Sequence, residues 1–144
     1  MEIPENTLGM LRWIGFAQRK AADEWVRERG LTAEQGFTIG YLRENPGVMQ
    51  RDIAQISRTT AASVSSMLQG LEKRGLIERR SEPGDDRSKR VYATDAGIEL
   101  VVGFDQEMAA VDERILAPLD EHERKTLHEL VSKVVAQLPE PTRP

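Results

Sequence analysis

The chain has 144 residues, with 20 Lys and Arg against 24 Asp and Glu, and it contains no cysteine. This length fits one folding unit or an intertwined pair of chains, and the lack of cysteine excludes disulfides, thiolate zinc sites and a cysteine redox switch. The N-terminus lacks the basic start and apolar core of a signal peptide, and no apolar run reaches the length of a membrane span, so we expect a cytoplasmic protein with no membrane partner.

The first half of the chain begins with two predicted helices. Apolar or small residues recur at three- and four-residue intervals over residues 8–30, which predicts an amphipathic helix. Thr32 and Gln35 form a capping box, so a second helix should cover residues 33–44. The turn-forming residues 45–47 end it, because proline cannot continue a helix.

Two further helices with a short connection follow. A short helix is predicted near residues 50–56, and Thr60 is a plausible N-cap for a helix over residues 60–74. Gly75 is well placed to end that helix. Its predicted core-facing stripe consists of Val64, Met67, Leu68 and Leu71.

A basic hairpin is predicted after the fourth helix. Residues 77–80 and 89–94 suit strands, and residues 82–86 are rich in turn formers, which predicts a hairpin with a long tip. Thr94 should then cap one long helix that ends at Pro118.

The last predicted helix begins at a capping box of Asp120 and Glu123 and ends near residues 138–141. The apolar stripes of the terminal helices exceed what the small middle module can cover, and exposed stripes favour association. Since closed two-fold dimers are the commonest oligomers, we expect a homodimer.

The net charge of −4 is unevenly distributed. Residues 1–49 carry a net charge of −1, residues 50–94 carry 9 basic against 6 acidic residues for a net +3, and residues 95–144 carry −6. The basic excess coincides with the fourth helix and the hairpin. This local excess is what a phosphate-binding surface requires, even on an acidic protein.

Three motifs carry a resemblance to a known family. They are Leu-Glu-Lys-Arg-Gly-Leu-Ile-Glu-Arg over residues 71–79, Asp85-x-Arg87-x-Lys89, and Thr94-x-x-Gly97. Together with the order of elements, they resemble the MarR family of bacterial transcription regulators across nearly the whole chain. The first motif alone is common to many winged-helix proteins, whereas the hairpin pattern at this distance is much more specific.

The expected fold is mainly α with a small β-wing. It is a winged helix-turn-helix domain plus a helical dimerisation arm, with six helices and a two- or three-stranded antiparallel sheet. Residues 31–94 would form the DNA-binding region, and residues 1–30 with 95–144 the dimerisation region. The resemblance implies a homodimer that places helix 60–74 in a major groove and wing 77–94 in the flanking minor groove of a pseudo-palindromic operator in double-stranded DNA.

The candidate DNA contacts lie on three elements. Arg87 has the fork and charge to enter a narrow minor groove, while Lys89 and Arg90 suit phosphates, although strand alternation lets only one of them face the backbone. Arg51 and Arg58 should touch the backbone near the third helix. Hydroxyl, methyl and amide groups can contact bases or phosphates, and the candidates on helix 60–74 are Thr60, Ala61, Ser63, Ser65, Ser66, Gln69 and Lys73. Without the hairpin, such a face would also be typical of a helix surface that is merely exposed to solvent.

Other kinds of site receive less support. Trp13, Phe16 and Tyr41 are candidates for binding a small aromatic or phenolic effector, which the resemblance suggests, and the alternative for each is core packing. His122 and His128 are six residues apart on one helix and cannot share a metal on one face. The acidic pairs lack a nearby nucleophile or histidine, so we expect no catalytic residues, no metal and no cofactor.

The sequence therefore predicts a dimeric, sequence-specific DNA-binding transcription regulator, a repressor that responds to a ligand. The lack of arginine on the exposed face of helix 60–74 argues against strong guanine readout. The alternative is a helical dimeric module that binds a ligand or a protein and does not bind DNA.

Overall fold

The computed structural model describes residues 2–57 and 59–140; for Glu82 and for residues 85–88 it describes the backbone alone. The elements in chain order are α1 (Thr7–Arg27), α2 (Ala33–Glu44), β1 (Val48–Met49), α3 (Gln50–Ser57), α4 (Ala61–Lys73), β2 (Ile77–Glu82), β3 (Asp85–Ala93), α5 (Asp95–Val101), α6 (Phe104–Leu116) and α7 (Glu121–Val135). The predicted mainly α class with a small sheet is confirmed.

The described chain forms two compact units. Residues 2–22 and 105–140 form the first unit, and residues 23–104 form the second unit. These divisions reflect packing and lie several residues from the predicted borders at 30/31 and 94/95. The assignment of dimerisation and DNA binding to those regions stays a prediction.

The core of the second unit lies between α2, α3, α4 and the sheet. Apolar side chains at helical spacing meet the inward face of the strands there, and their burial drives the packing. The fully buried side chains include Ile39, Leu42, Val64, Leu68, Leu71, Ile77 and Val91.

The sheet has three antiparallel strands in the order β1-β3-β2. The short β1 joins the sheet by pairing with β3, with Val48 opposite Val91. The sheet therefore has three strands, where the sequence had left two or three open. The predicted long hairpin tip was wrong, because β2 continues to Glu82 and β3 begins at Asp85. Their connection is Pro83-Gly84, with Gly84 at φ 87°. A glycine with positive φ permits such a tight turn, and Glu82 pairs with Asp85 beside it. The register shifts between Glu82 and Ser81, which pairs with Lys89.

Four predicted helix starts are confirmed by their caps. Thr32 and Asp120 each form a capping box, and the hydroxyls of Thr60 and Thr94 accept hydrogen bonds from amides in the first turns of their helices. The prediction of one uninterrupted helix after Thr94 was wrong. Gly103 adopts φ 91° and separates α5 from α6, because this left-handed conformation cannot continue a right-handed helix.

The described contacts within the first unit include hydrogen bonds between polar side chains, and the unit buries little of its apolar surface. Gln18 Nε2 donates to Asp112 Oδ1 at 2.9 Å, and Arg124 Nη1 donates to Glu113 Oε2 at 2.9 Å. Among the hydrophobic side chains described in this unit, Val111 alone is buried. Exposed ones include Leu8, Met10, Leu11, Ile14, Phe16, Leu130, Val131, Val134, Val135 and Leu138.

Candidate nucleic-acid interface

Helix α4 presents a polar face of short side chains. Val64, Leu68 and Leu71 point into the core, as predicted, which leaves the opposite face of the helix in solvent. The predicted contact residues are all exposed: Thr60, Ala61, Ser63, Ser65, Ser66, Gln69 and Lys73. Methyl, hydroxyl and amide groups on one helical face can contact base edges and phosphates.

Two of these hydroxyls also bond to each other. Thr60 Oγ1 accepts from the Ser63 amide at 3.1 Å and donates to Ser63 Oγ at 2.9 Å. The first turn of α4 is thereby capped by the side chain that precedes it. The cap fixes the N-terminal end of the helix, which is the end that meets base edges in helix-turn-helix proteins.

A recess of about 370 Å³ lies where α3, α4 and the hairpin meet. Its rim carries two exposed cations, Arg51 from α3 and Lys89 from β3. Its other lining residues are Gln50, Ala61, Ser65 and Arg79. When a helix lies in a DNA groove, cationic and hydroxyl side chains beside it commonly donate hydrogen bonds to the DNA phosphates.

Arg79, which lines this recess, forms an ion pair with Glu72 that was not predicted from the sequence. Arg79 Nη2 donates to Glu72 Oε1 at 2.9 Å, and Arg79 Nε donates to Glu72 Oε2 at 3.2 Å. The hydrogen bonds from Arg79 lower the pKa of the Glu72 carboxyl, and the carboxylate in turn raises the pKa of Arg79. Opposite charges on the two sides of the turn at Gly75 were the available signal.

The two basic residues at the base of the wing point in different directions. Lys89 lines the recess, whereas Arg90 is half-buried and its Nη1 donates to the carbonyl of Gly47 at 2.9 Å. The neighbouring Arg80 lies over the ring of Tyr92, 4.3 Å from its centroid. Strand alternation therefore leaves Lys89 as the member of the pair beside α3 and α4.

Two predicted contact residues cannot be placed in this way. Arg58 lies outside the described residues, and so does the side chain of Arg87, although its backbone belongs to β3. Their roles in phosphate and minor-groove contact stay predictions.

The predicted ligand-binding residues are distributed over both units. Trp13, which is half-buried, and the exposed Phe16 belong to the first unit. Tyr41 belongs to the second, where its ring centroid lies 6.1 Å from that of Phe37. A role in effector binding stays a prediction for all three.

A second aromatic cluster was not singled out from the sequence. Trp25 is buried, its ring meets Phe104 edge-on at 5.4 Å, and the guanidinium of Arg29 lies 3.3 Å from its ring centroid. Arg29 also lines an open recess of about 480 Å³ with residues of α5. The cluster holds the end of α1 against the region of Gly103.

Within the part of the chain that the structure describes, no group of three or more His, Asp or Glu side chains could hold a metal ion. Both histidines are exposed on α7. None of the helices in these described residues combines the length and the apolar composition of a membrane span.

The arrangement of α2, α3, α4 and the hairpin defines a winged helix-turn-helix fold. The family model of the MarR family matches residues 29–88. The transcriptional regulator HosA of Escherichia coli O111:H- is 29% identical over 136 residues, which covers 94% of this chain and 98% of HosA.

Solved structures extend this similarity. A candidate MarR family transcriptional regulator from Clostridium acetobutylicum is 37% identical, with a TM-score of 0.71 and coverage of 90% of this chain and 95% of that one. MepR, a transcription regulator of the Staphylococcus aureus multidrug efflux pump MepA, is 29% identical, with a TM-score of 0.82 and coverage of 93% and 99%. In a complex with DNA, MepR superimposes with a TM-score of 0.66 and coverage of 94% and 100%.

The chain belongs to the MarR family. The relatives named above are transcription regulators, which supports the expectation that the chain is not an enzyme.

Proposed function

We propose that this chain is a homodimeric, sequence-specific DNA-binding transcription regulator. Helix α4 enters the major groove of an operator half-site, and the β2–β3 hairpin lies in the flanking minor groove. The observation that carries the proposal is the exposed polar face of α4 beside a recess with Arg51 and Lys89 on its rim. The similarity to MepR, whose structure was solved in a complex with DNA, supports double-stranded DNA as the partner.

Dimer formation through the first unit is supported by its exposed apolar side chains. Leu130 is 59% exposed and Val134 is 55% exposed, on the same face of α7. Apolar patches of this kind on one chain commonly mark an interface with another. A second copy that covers them would present two α4 helices to two half-sites of a palindromic operator.

The proposed regulator is a repressor that releases its operator when it binds a ligand. The ligand class is a small aromatic or phenolic molecule, and Trp13, Phe16 and Tyr41 are the candidate contacts. Support for this class comes from the family resemblance and from the aromatic character of these side chains. A ligand acts in this scheme only if it binds the released conformation more tightly than the DNA-binding one.

Footprinting on the DNA next to the chain's own gene tests the proposal. We expect protection of two half-sites about 10 base pairs apart, centre to centre, and loss of protection with an effective compound from a panel of aromatic acids. Anisotropy titrations at several salt concentrations should show affinity that falls as salt rises. Absence of salt-dependent binding at low ionic strength would instead favour a helical module that binds a ligand or a protein without DNA.

A further inference from the structure

Arg79 joins three elements that surround the candidate DNA surface. It lies on β2, it makes a two-point contact with the Glu72 carboxylate at the end of α4, and its Nη1 donates to Gln50 Oε1 of α3 at 3.4 Å. A planar guanidinium that meets a carboxylate through two parallel hydrogen bonds fixes direction as well as distance. The side chain therefore ties the hairpin to both helices of the helix-turn-helix.

The guanidinium is poorly placed to contact DNA itself. The side chain of Arg79 is 14% exposed and its nitrogens are directed at Glu72 and Gln50. Arg51 and Lys89, in contrast, are exposed at the rim of the same recess. Contact with a phosphate would require Arg79 to leave a carboxylate that matches its geometry.

Acting alone, the Glu72 carboxylate would oppose DNA binding. Its side chain is 39% exposed, and a free carboxylate beside bound DNA repels phosphates. Loss of such a charge from a nucleic-acid surface would by itself raise affinity. The residue has a favourable role at this position only if it acts through Arg79.

We propose that Glu72 and Arg79 form a positioning pair, which fixes the hairpin relative to α4 so that both can enter their grooves together. The inference rests on the proposed DNA binding. The pair acts by geometry, since a helix and a wing that must fit two grooves at once lose affinity when the angle between them varies.

A positioning role and direct contact with DNA predict different results for variants of the two residues. If Glu72 is a positioning residue, Glu72→Gln weakens DNA binding. If Glu72 only repels DNA phosphates, the same variant binds DNA more tightly. Arg79→Gln lowers affinity in either case. A phosphate contact also lowers the slope of log affinity against log salt by about 0.9, whereas a positioning role leaves the slope unchanged.

The experiment is an anisotropy titration of the full-length protein on its footprinted operator over a series of salt concentrations. We expect Glu72→Gln and Arg79→Gln each to weaken binding by about 3- to 5-fold, the scale expected for the loss of one partly exposed ion pair, with the salt slope unchanged. The double variant should be no weaker than either single variant, because both remove the same interaction. Arg79→Lys, which keeps the charge and one hydrogen bond, should lie between wild type and Arg79→Gln.

Glu78→Gln is the matched control. Glu78 lies on the same strand and pairs with Arg80, away from α4, so its loss removes the same charge without loosening the hairpin from α4. We expect the affinity of this variant for the operator to stay within about two-fold of that of wild type. Circular dichroism confirms that each variant is folded.

Hydrogen exchange without DNA provides a second readout. Exchange of the β2 and β3 amides should be faster in Glu72→Gln and Arg79→Gln than in wild type or Glu78→Gln, because the hairpin opens more often. The inference is wrong if Glu72→Gln binds as tightly as wild type or tighter, if Arg79→Gln lowers the salt slope, or if hairpin exchange is unchanged. Failure of the wild type to bind any DNA is a different outcome, which rejects the proposed function and with it the role of the pair in DNA binding.

Discussion

Gly97 of α5 lies directly against the backbone of Leu76, in the turn between α4 and β2. A Cβ added to Gly97 would overlap the carbonyl oxygen of Leu76 and would lie 3.0 Å from its carbonyl carbon. Thr94 reinforces the contact, because its amide donates to the same Leu76 carbonyl at 3.1 Å and its hydroxyl donates to the Gly75 carbonyl at 2.6 Å. The absence of a side chain at position 97 is therefore a packing requirement.

Gly97→Ala should destabilise the fold, because the added methyl meets backbone that cannot rotate away. We expect a loss of about 1 to 3 kcal/mol in the free energy of unfolding, the usual range for overpacking, measured by urea titration. Gly40→Ala is the matched control, since a Cβ at this position in α2 has no neighbour within 4 Å. It should raise stability by about 0.5 to 1 kcal/mol through helix propensity. Equal effects at both positions would contradict the packing argument.

Thr60→Ala should lower the free energy of unfolding by about 1 kcal/mol, because it removes the hydroxyl that caps α4. Thr60→Ser keeps the hydroxyl and serves as the control, with stability close to that of wild type. Thermal unfolding followed by circular dichroism measures both. A similar loss in the serine variant would indicate that the methyl group of Thr60, rather than its cap, is responsible.

Arg51→Gln tests the cationic rim of the recess. A direct phosphate contact predicts weaker binding and a salt slope that is smaller by about 0.9, since one fewer counterion is released. Lys125→Gln removes the same charge from an exposed position on α7 and should leave the slope unchanged. Anisotropy titrations on one operator compare the two variants, and equal slopes would place Arg51 away from the phosphates.

Val134→Asp should weaken the proposed dimer by at least about tenfold, because a carboxylate cannot be buried in an apolar interface without a partner. Ser132→Asp places the same charge on another face of α7 and should leave the dimer intact. Sedimentation velocity over a range of protein concentrations measures the association. A dimer that survives Val134→Asp unchanged would place the interface elsewhere.

The Glu72 carboxyl predicts a specific dependence of stability on pH. Since Arg79 lowers its pKa below the ordinary 4.5, the pair stabilises the folded state fully above that value and loses this contribution as the pH falls through the lowered pKa. Wild type should exceed Glu72→Gln in the free energy of unfolding by less than about 1 kcal/mol at neutral pH, because the pair is partly exposed.

Urea titrations at decreasing pH should show this difference disappearing in the acid range. In an Arg79→Gln background, Glu72→Gln should produce no comparable change with pH. A difference that grows on acidification would contradict the assignment.

Local signals predicted most of the fold, and the errors arose where those signals were ambiguous. The caps at Thr32, Thr60 and Asp120 act within three residues, so the sequence specifies them directly. The break at Gly103 was missed because the apolar pattern continues across it, and one glycine is often tolerated within a helix.

The candidate site was predicted in outline for a similar reason. Helical periodicity alone identified the exposed face of α4. The contact of Arg79 with Glu72 depends on how the hairpin packs against α4, and so does the choice of Lys89 over Arg90 as the residue that faces the recess. No spacing rule within one element contains that information.

The short side chains on the exposed face of α4 have a consequence for how a groove would be read. Alanine and serine project little beyond the helical backbone, so base edges come within contact range only if the helix axis lies deep in the groove. Long basic side chains can reach across a gap between a helix and the bases, whereas the short side chains of α4 require the helix itself to lie close to them. Discrimination between operators would then depend on groove width and local DNA curvature, which respond to sequence beyond the contacted bases.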